Sequence, residues 1–401
     1  MNKTNKKKKP IRVGMVCFSY YPEDVRPRRE CEALSEKGMS VDMICLKKPD
    51  EPSTERVNGV NVYRLPVRRR RGSMGRYIFE YALFFLLSFF KLTLLYIRKR
   101  YQIVQIHNMP DFLVFAALVP KLFGARIILD LHDPMPEVFM SKYANSHHSR
   151  TIRLLRFIEK WSIRFSNVIL TPNISFRDIF ASRSCGADKI HIVMNSPQED
   201  IFEKYADPIP GEPASRGTLK LMFHGTVVER HGLDTALEAI DRLRPKIAGI
   251  EFNVFGQGDY VERFLEIVDE RGLQDVVNYH GQVQLEEIVR NISVNDVGLI
   301  PNKLSTFTNL NFPTRIFEFI CMKKPVIVPR TQGILDYFSE DSLFFFQAGD
   351  ADSLAERILD IYSNWEKNRE VLDKGYAVYD QYRWGLQSKY YVDLVSTLGR
   401  K

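Results

Sequence analysis

The sequence predicts an α/β protein of two domains, each built on a parallel β-sheet with helices on both faces. The chain has 401 residues, more than one hydrophobic core usually serves, since most domains hold about 100 to 200 residues. Short Val/Ile-rich runs alternate with helical patterns along most of the chain, as in parallel sheets. The alternation stops between Phe202 and Gly217, where Pro208, Pro210 and Pro213 interrupt it. We therefore predict a linker between two domains there.

The first half predicts an N-terminal domain over residues 11–203, after a basic tail over residues 1–10. Its strands are expected at Ile11–Phe18, Ser40–Leu46, Val60–Leu65, Ile103–His107, Ala125–Leu131 and Val168–Thr171. Its helices are expected near Arg28–Lys37, Tyr77–Ile97, Phe112–Phe123 and Thr151–Phe165.

The second half, after a linker over residues 204–217, predicts a C-terminal domain over residues 218–380 and a final helix over residues 381–401. Strands are expected at Leu219–Phe223, Glu251–Phe255, Val276–His280, Val297–Ile300 and Pro325–Val328. Helices are expected at Thr235–Leu243, Tyr260–Glu270, Leu285–Ile292, Pro313–Met322, Ala351–Trp365 and Tyr382–Leu398.

Charge and cysteine content restrict the class of protein. The net charge of +8 is concentrated in the runs Lys6–Lys9 and Arg68–Arg71, which are typical of a solvated tail, a nucleic-acid patch or contact with anionic lipid. The five cysteines are scattered without a CxxC spacing, which favours a reducing compartment and argues against a zinc site. The apolar run Ile11–Phe18 is short and includes Arg12, so we expect no signal peptide.

The helix near residues 77–97 is apolar enough to suggest contact with a membrane. Glu80 and Lys91 interrupt it, whereas spanning requires about 20 predominantly apolar residues. At about 100° per residue, Glu80, Ser88 and Lys91 fall on one stripe, with aromatic and aliphatic residues around the rest. We therefore predict a helix that binds peripherally to an anionic membrane surface. A buried crossover helix of the first domain is the alternative.

The motif with the clearest chemistry is residues 311–329, NFPTRIFEFICMKKPVIVP. Pro313 suits the first turn of a helix, so the exposed amides around Phe312 to Arg315 would face a diphosphate, and Arg315 adds a fixed charge there. Asn311 and Thr314 are further candidates to contact the donor. Glu318 could accept both hydroxyls of a ribose. The segment resembles the donor site of family-4 retaining glycosyltransferases, the glycosyl transferases group 1 of GT-B fold, in which the matching Glu binds ribose.

The resemblance departs from the family pattern at Leu310, where many members carry an acidic residue that gives a Glu-x7-Glu motif. Contacts to the sugar ring of the donor are therefore left open, and Asn309 and Asn311 are candidates to make them.

A second motif is residues 223–234, FHGTVVERHGLD. It resembles the first strand and loop of the family's C-terminal domain, where a basic residue before the second glycine binds the donor phosphates. Arg230 and His231 occupy this position, and Gly225 would let the backbone approach the ligand closely. Thr226 replaces the Arg that often follows the first glycine, so phosphate binding is expected to depend on the Arg230 guanidinium.

Gly256 and Gly258 follow a predicted strand in the sequence GQGDY. This run is similar to the family's Gly-x-Gly loop near the nucleotide base, although a GxG after a strand is often only a tight turn.

In the N-terminal half, residues 127–137, IILDLHDPMPE, resemble the family's strand that ends in a His-Asp pair facing the cleft. His132 could hydrogen-bond the transferring sugar or the leaving phosphate, with Asp133 orienting it or an acceptor hydroxyl. Capping of the strand is the alternative role for His132. Upstream, Arg26 and Arg28 replace the family's Gly-Gly loop and are candidates to contact phosphate of the donor or acceptor. Salt bridges of these arginines to neighbouring glutamates are the alternative.

The resemblance implies two Rossmann-like domains facing a central cleft, with the C-terminal helix crossing back to the N-terminal domain. It implies transfer of a sugar from a nucleoside diphosphate sugar with retention at the anomeric carbon, with His132, Arg230 and Glu318 as catalytic residues. No DxD-like pair lies in a fitting loop, so we expect neither a metal nor a cofactor, and positive groups would stabilise the leaving diphosphate instead.

The resemblance also implies a lipid-linked saccharide acceptor in surface polysaccharide biosynthesis and a cytoplasmic enzyme bound peripherally to the cytoplasmic membrane. A sugar-nucleotide 2-epimerase of the same architecture and a noncatalytic nucleotide-sugar-binding subunit are the alternatives. Nucleic acid is not an expected partner, because the sequence has no recognition motif for it. The donor sugar, the nucleotide, the acceptor and the oligomeric state stay open.

Overall fold

The computed structural model describes residues 10–69, 74–143, 150–205, 213 and 217–400. It divides into a first unit of residues 1–194 and 387–401 and a second unit of residues 195–386. The predicted basic tail, apart from Pro10, and most of the predicted linker lie outside the described residues. The sequence predicts residues 195–203 as the end of the N-terminal domain. They associate with the second unit instead, where the Gly385 amide donates to a Glu199 carboxylate oxygen at 3.2 Å.

The first unit is built on one eight-stranded sheet. Its strands are β1 (Arg12–Val16), β2 (Ser40–Leu46), β3 (Thr54–Val57), β4 (Val60–Leu65), β5 (Ile103–His107), β6 (Arg126–Asp130), β7 (Val168–Thr171) and β8 (Ile190–Ile192). They lie in the order β3-β4-β2-β1-β5-β6-β7-β8, and only the pair β3 and β4 is antiparallel. The central strands are buried on both faces, which explains their continuous apolar runs. The edge strands β3 and β8 are not predicted, because both are short and partly exposed.

Helices cover this sheet between successive strands. They are α1 (Val25–Glu36), α2 (Met74–Lys99), α3 (Leu118–Leu122), α4 (Met135–Tyr143), α5 (Arg150–Phe165) and α6 (Ile174–Arg183), with 3₁₀ helices at Asp111–Ala117 and Ala187–Lys189. Helix α6 begins after Asn173, whose side chain accepts a hydrogen bond from the Phe176 amide at 2.7 Å. The single helix predicted near residues 112–123 is thus a 3₁₀ helix followed by the short α3.

Helix α2 turns its polar stripe toward the sheet. Glu80 and Ser88 are 5% and 0% exposed, and the Lys91 ammonium lies over the Tyr63 ring at 4.7 Å. Exposed side chains of the helix are apolar instead, such as Phe90 at 66%. The polar stripe is therefore the inner side of α2, and the outer side of the helix carries exposed apolar residues. Among the described residues, α2 alone is long and apolar enough to cross a membrane.

The second unit is built on a six-stranded parallel sheet. Its strands are β9 (Thr218–His224), β10 (Gly249–Phe255), β11 (Val277–Gly281), β12 (Val297–Leu299), β13 (Val326–Pro329) and β14 (Phe344–Phe346), in the order β11-β10-β9-β12-β13-β14. Its helices are α7 (Glu199–Phe202), α8 (Leu233–Leu243), α9 (Val261–Glu270), α10 (Leu285–Val294), α11 (Arg315–Cys321), α12 (Gln332–Leu335), α13 (Ala351–Ser363) and α14 (Arg369–Asp380), with 3₁₀ helices at Glu203–Tyr205 and Glu229–His231. Both sheets therefore confirm the predicted α/β class.

The last helix, α15 (Trp384–Gly399), begins in the second unit and continues into the first. In the first unit the buried Tyr391 donates from its hydroxyl to Gln105 Oε1 at 2.6 Å. The Met194 amide donates to Gln387 Oε1 at 3.0 Å. Residues 387–399 are thus part of the first unit, although they are distant from it in sequence.

Candidate functional site

Two histidines and an aspartate meet at the carboxyl edge of the first unit's sheet. His107 ends β5 and Asp130 ends β6, and the parallel register places these residues side by side. His132 Nε2 and His107 Nδ1 each lie 3.0 Å from the same carboxylate oxygen, Asp130 Oδ2. The two imidazole rings are nearly parallel, with centroids 5.5 Å apart. The predicted catalytic histidine, His132, is therefore a member of a buried triad.

The shared carboxylate sets the protonation of both imidazoles. Burial alone would raise the pKa of Asp130, but the two histidines outweigh it and hold that pKa far below its usual range. Burial alone would lower the pKa of His107, yet the hydrogen bond and charge of Asp130 raise it. Burial prevails for His132 and lowers its pKa. His132 is therefore neutral at pH 7, so one of its ring nitrogens carries a proton and the other is an acceptor.

A second layer of buried polar groups supports the triad. Gln105 Nε2 donates to Glu30 at 2.6 Å, and Gln105 Oε1 accepts from Tyr391 of α15. Burial and the nearby Asp130 raise the pKa of Glu30 to about 8. The Glu30 carboxyl is thus protonated at pH 7, which avoids placing two buried negative charges together.

His107, Asp130 and Glu30 of this buried cluster are not predicted as site residues from the sequence. The signal that could have found the first two is a charged or ionisable side chain at the last position of an otherwise apolar strand, since such positions share one edge of a parallel sheet. Glu30 carries no such signal, because an acid within an amphipathic helix is usually on the solvated face.

The triad is also the group of described side chains that could hold a metal ion. One potential ligand atom from each of His107, Asp130 and His132 lies within 4.8 Å of the others. Imidazole nitrogen and carboxylate oxygen are ligands that Zn²⁺ and related ions accept. In this structure His132 Nε2 and His107 Nδ1 each lie 3.0 Å from Asp130 Oδ2 and 3.3 Å from each other. The expectation of a metal-free reaction stays a prediction.

The predicted phosphate contact Arg26 lies in the first turn of α1, beside the N-cap residue Asp24. Its Nε and Nη2 atoms each lie 3.3 Å from a carboxylate oxygen of Asp24. Burial alone would raise the pKa of Asp24, but the Arg26 charge lowers it to about 2. Asp133 adds to the negative field on Arg26. The acid that pairs with Arg26 is thus one that the sequence analysis did not consider, and Arg28 lies half-buried in the first turn of α1.

In the second unit, the structure brings the predicted donor residues Gly225, Arg315 and Glu318 together. Arg315 is the first residue of α11, and its Nη1 donates to the His224 carbonyl oxygen at 2.7 Å. Glu318 Oε2 lies 3.2 Å from His224 Nε2. Burial and then the Arg315 charge together lower the pKa of His224 to about 3, so this imidazole is neutral. Gly225 has φ +129°, and an added Cβ would lie 3.2 Å from Arg315 Nη1, so the position favours glycine.

The basic loop of the second motif lies beside this group. Arg230 and His231 form the 3₁₀ helix after β9, and the His231 Nδ1 atom contacts the Thr226 carbonyl oxygen at 2.6 Å. Burial and then Arg315 lower the pKa of His231 to about 3. Arg230 lowers the pKa of Arg315 in turn. Two guanidinium groups therefore repel each other here, and His231 adds no positive charge at neutral pH.

The two glycines of the third motif are required by the fold itself. Gly256 has φ +137°, and an added Cβ would lie 1.8 Å from the Gly225 carbonyl oxygen. A Cβ at Gly258 would lie 1.8 Å from the Val227 carbonyl oxygen. The loops after β9 and β10 are thus packed backbone to backbone, which explains both glycines without a ligand.

The remaining predicted donor residues precede the helix. Helix α11 begins at Arg315 rather than at Pro313, and Thr314 is its N-cap residue without a side-chain cap. Asn311 and Pro313 lie in the loop before it, where the Asn311 amide donates to the Phe307 carbonyl at 3.0 Å. The helix has only seven residues, so the charge of Arg315 is the larger positive contribution at this end.

Both halves of the chain match glycosyltransferase family models. The Glycosyl transferase 4-like domain matches residues 24–196, and the Glycosyl transferases group 1 model matches residues 210–378. The amylovoran biosynthesis glycosyltransferase AmsK of Erwinia amylovora is 24% identical over 177 residues, which are 44% of this chain and 42% of that protein. The matched region therefore spans less than half the length of this relative.

Solved glycosyltransferase structures share the fold over nearly the whole chain. Sucrose-phosphate synthase of Thermosynechococcus elongatus aligns with a TM-score of 0.77 at 16% identity, over 97% of this chain and 99% of that one. HepE of Anabaena, in complex with UDP and glucose, aligns with a TM-score of 0.72 at 13% identity, over 96% and 99%. Because both halves match these families and the fold is that of solved members, the chain belongs to the glycosyl transferases group 1, transferase enzymes of the GT-B fold.

Proposed function

We propose that this chain transfers a sugar from a nucleoside diphosphate donor to a saccharide acceptor, with retention at the anomeric carbon. The observation that carries the proposal is the group of Arg230, Arg315 and Glu318 beside Gly225 in the second unit. HepE holds UDP and glucose in its complex, which supports a nucleotide-sugar donor for a chain of the same fold.

The two arginines would hold the diphosphate. The Arg315 guanidinium is fixed by its bond to the His224 carbonyl and lies over the Phe223 ring at 4.7 Å. Burial lowers its pKa to about 10, so it stays charged at neutral pH. Two mutually repelling guanidinium groups favour an anion between or beside them, and each can grip a phosphate through paired N–H donors.

Glu318 would hold the ribose. Its side chain is 18% exposed and lies next to the neutral His224. An ionised carboxylate can accept from both ribose hydroxyls at once.

His132 would act at the transferring sugar or the leaving phosphate. As a neutral imidazole, it can bind a sugar hydroxyl through its acceptor nitrogen and would gain a proton only as negative charge develops nearby. The leaving diphosphate would be stabilised by Arg230 and Arg315, so the proposed reaction needs neither a covalent intermediate nor a divalent ion.

We further propose that the acceptor is a lipid-linked saccharide for a surface polysaccharide and that the enzyme works on the cytoplasmic membrane. AmsK is by name an enzyme of amylovoran biosynthesis, which supports a polysaccharide product. The exposed apolar side chains of α2, among them Ile78, Phe79 and Phe90, support peripheral membrane contact through this helix.

A screen of nucleoside diphosphate sugars tests the proposal without knowledge of the acceptor. The correct donor is expected to raise the Tm of the protein and to be hydrolysed slowly when no acceptor is present. Glu318→Ala should reduce the shift in Tm at the same donor concentration while leaving the Tm of the free protein unchanged. Formation of an epimer of the donor would contradict a transferase, and the absence of any shift across the common nucleotides would contradict the donor site.

A further inference from the structure

Three helical segments cover one face of the first unit's sheet. Helix α2 connects β4 to β5, the 3₁₀ helix Asp111–Ala117 with α3 connects β5 to β6, and α5 lies between β6 and β7. All three connections cross the sheet in the same direction, so right-handed crossovers place the segments on one face. They are in contact, since the Phe85 and Phe112 rings lie 5.8 Å apart and the Phe115 and Phe165 rings 5.1 Å apart. The three segments therefore form one layer.

The outer side of this layer is apolar over all three segments. Helix α5 exposes Leu154, Phe157 and Trp161 by 56%, 59% and 48%. Their spacing of three and four residues places them in one stripe. Further exposed large apolar side chains follow on α3, with Leu122 at 73%, and on α2, with Phe90 at 66%. An apolar area of this extent marks an interaction surface.

In this layer the acidic side chains are buried, and the exposed charged side chains of α5 are basic. The acidic residues within residues 74–126 and 150–165 are Glu80, Asp111 and Glu159, and they are 5%, 1% and 0% exposed. Glu159 is bound from below by Arg183 at 2.5 Å. The exposed charged residues of α5 are all basic: Arg150, Arg153, Arg156 and Arg164.

We propose that α5, together with α2 and α3, docks on an anionic lipid bilayer, an inference that rests on the membrane association proposed above and extends it to a helix not singled out by the sequence. The basic residues at positions 150, 153 and 164 flank the apolar stripe, and the Arg164 guanidinium lies over the Trp161 ring at 5.6 Å. This arrangement matches the boundary between acyl chains and anionic headgroups.

Charge distinguishes a bilayer from a second copy of the chain as the occupant. A symmetric dimer through this face would place the same basic helix of each copy against the other, because such an interface uses one patch twice. Within residues 75–126 and 150–165, whose side chains the structure describes, every acidic side chain is buried, so none there could neutralise the basic helix of a second copy. Anionic lipid supplies the missing negative charge.

The test is binding of the full chain to vesicles, followed by sedimentation. Vesicles of phosphatidylcholine and phosphatidylglycerol in equal parts should bind the protein, and vesicles of phosphatidylcholine alone should bind it at least about tenfold less, since each surface Lys or Arg contributes about 1 kcal/mol with anionic lipid. Phe157→Glu/Trp161→Glu should reduce binding to the anionic vesicles at least about tenfold as well. The matched control is Val294→Glu/Leu304→Glu, which alters side chains of the second unit that are 63% and 59% exposed and should not change binding.

A second readout keeps the proposal testable if the double variant misfolds. Trp161 is the exposed tryptophan, whereas Trp365 and Trp384 are 4% and 8% exposed. Brominated lipids should therefore quench the fluorescence of the unaltered protein, and Trp161→Phe should remove that quenching. Absence of quenching would overturn the docking of α5.

The outcomes separate this inference from the function that it rests on. If Ile78→Glu/Phe90→Glu on α2 abolishes vesicle binding while the α5 variant binds normally, the role of α5 is overturned and membrane association through α2 stands. If no vesicle is bound but donor hydrolysis occurs, the lipid surface is overturned and the transferase stands. A protein that forms dimers lost on Phe157→Glu/Trp161→Glu would show a protein interface instead and would also overturn the proposal.

Discussion

At the residue scale, burial and neighbouring charges decide which ionisable side chains of the two units are charged. Asp130 is surrounded by two imidazoles that keep it ionised, whereas Glu30 nearby is kept protonated by burial and by Asp130. In the second unit, burial makes His224 and His231 neutral and leaves the positive charge to Arg230 and Arg315. The proposed donor site thus depends on guanidinium groups, whose charge does not change near neutral pH.

Arg230→Ala and Glu318→Ala are expected to affect different steps. Charge on the leaving diphosphate grows as the bond breaks, so loss of Arg230 should lower kcat about 100-fold. Ribose contacts are alike in the ground and transition states, so Glu318→Ala should mainly raise the Kd for the donor, about tenfold or ~1.4 kcal/mol. Initial rates at saturating donor and calorimetric titration measure the two effects.

Arg242→Ala serves as the control for these variants, because this exposed arginine of α8 pairs with Glu238 on the helix surface and should leave both constants unchanged. Unaltered turnover by Arg230→Ala would eliminate its role at the phosphate.

The pKa of His107 predicts a pH-dependent stability. His107 faces Asp130, Glu30 and His132, and its folded pKa is raised above the ordinary value of 6.5. Its protonated form therefore contributes stability that is fully present below pH 6.5 and is lost as the pH rises through the folded pKa. His107→Gln should lower the free energy of unfolding by about 1–3 kcal/mol below that pH and by less in alkaline buffer. Denaturant titrations across this range measure the difference, and an equal loss at both ends would refute the linkage.

At the scale of elements, α2 shows how far a sequence pattern determines a helix. The apolar run predicts its existence, and the structure extends it to Met74–Lys99. Its orientation depends on neighbours that no local pattern contains. Tyr63 of β4 attracts Lys91, and Arg76 of the same helix neutralises the buried Glu80 at 3.1 Å. A polar stripe therefore became the inner side of the helix, against the usual expectation for an amphipathic helix.

Two leucines of α2, one on its inner side and one on its outer side, test the orientation of the helix. Leu92 is 0% exposed and Leu94 is 45% exposed. Leu92→Ala is expected to lower the free energy of unfolding by about 2–4 kcal/mol, because it leaves a cavity against the sheet. Leu94→Ala, the matched control, should change it by less than about 0.5 kcal/mol in lipid-free buffer. Equal effects in denaturant titrations would mean that the orientation of α2 described here is wrong.

The same distinction separates the site residues that the sequence could identify from those that it could not. Gly225, Arg230, Arg315 and Glu318 are close to one another because strand-to-helix loops of a parallel sheet share one edge, and such loops have recognisable spacings. The partners of His132 depend on the register between β5 and β6, which the sequence of neither strand alone determines. Arg26 pairs with Asp24, the N-cap residue of α1 two positions before it, whereas the acids considered from the sequence lie further along the helix.

At the scale of the whole molecule, the fold and the enzyme class follow from alternation and motif order together, because one GxG or one His-Asp pair would be ambiguous. The units match two family models in the expected order. In the proposed mechanism, Arg230 and Arg315 take the place of a divalent ion at the leaving diphosphate.

Full transferase activity in excess EDTA is therefore expected, because Arg230 and Arg315 would stabilise the leaving diphosphate without an ion. Rates measured with and without chelator, followed by addition of Mg²⁺ or Mn²⁺, check it. Strict dependence on an added ion would contradict the proposed mechanism, and a need for more of that ion in Asp130→Asn would assign the ion to the triad of His107, Asp130 and His132.

The split membership of α15 has a consequence for the order in which the protein is made. The second unit is one continuous segment of the chain, residues 195–386, whereas the first unit requires residues 387–399 to cover its sheet. During synthesis, the second unit can complete its contacts while the first still lacks Tyr391, which fills a fully buried position against Gln105. The half of the protein that is made first therefore cannot complete its buried contacts until the last residues of the chain have been made.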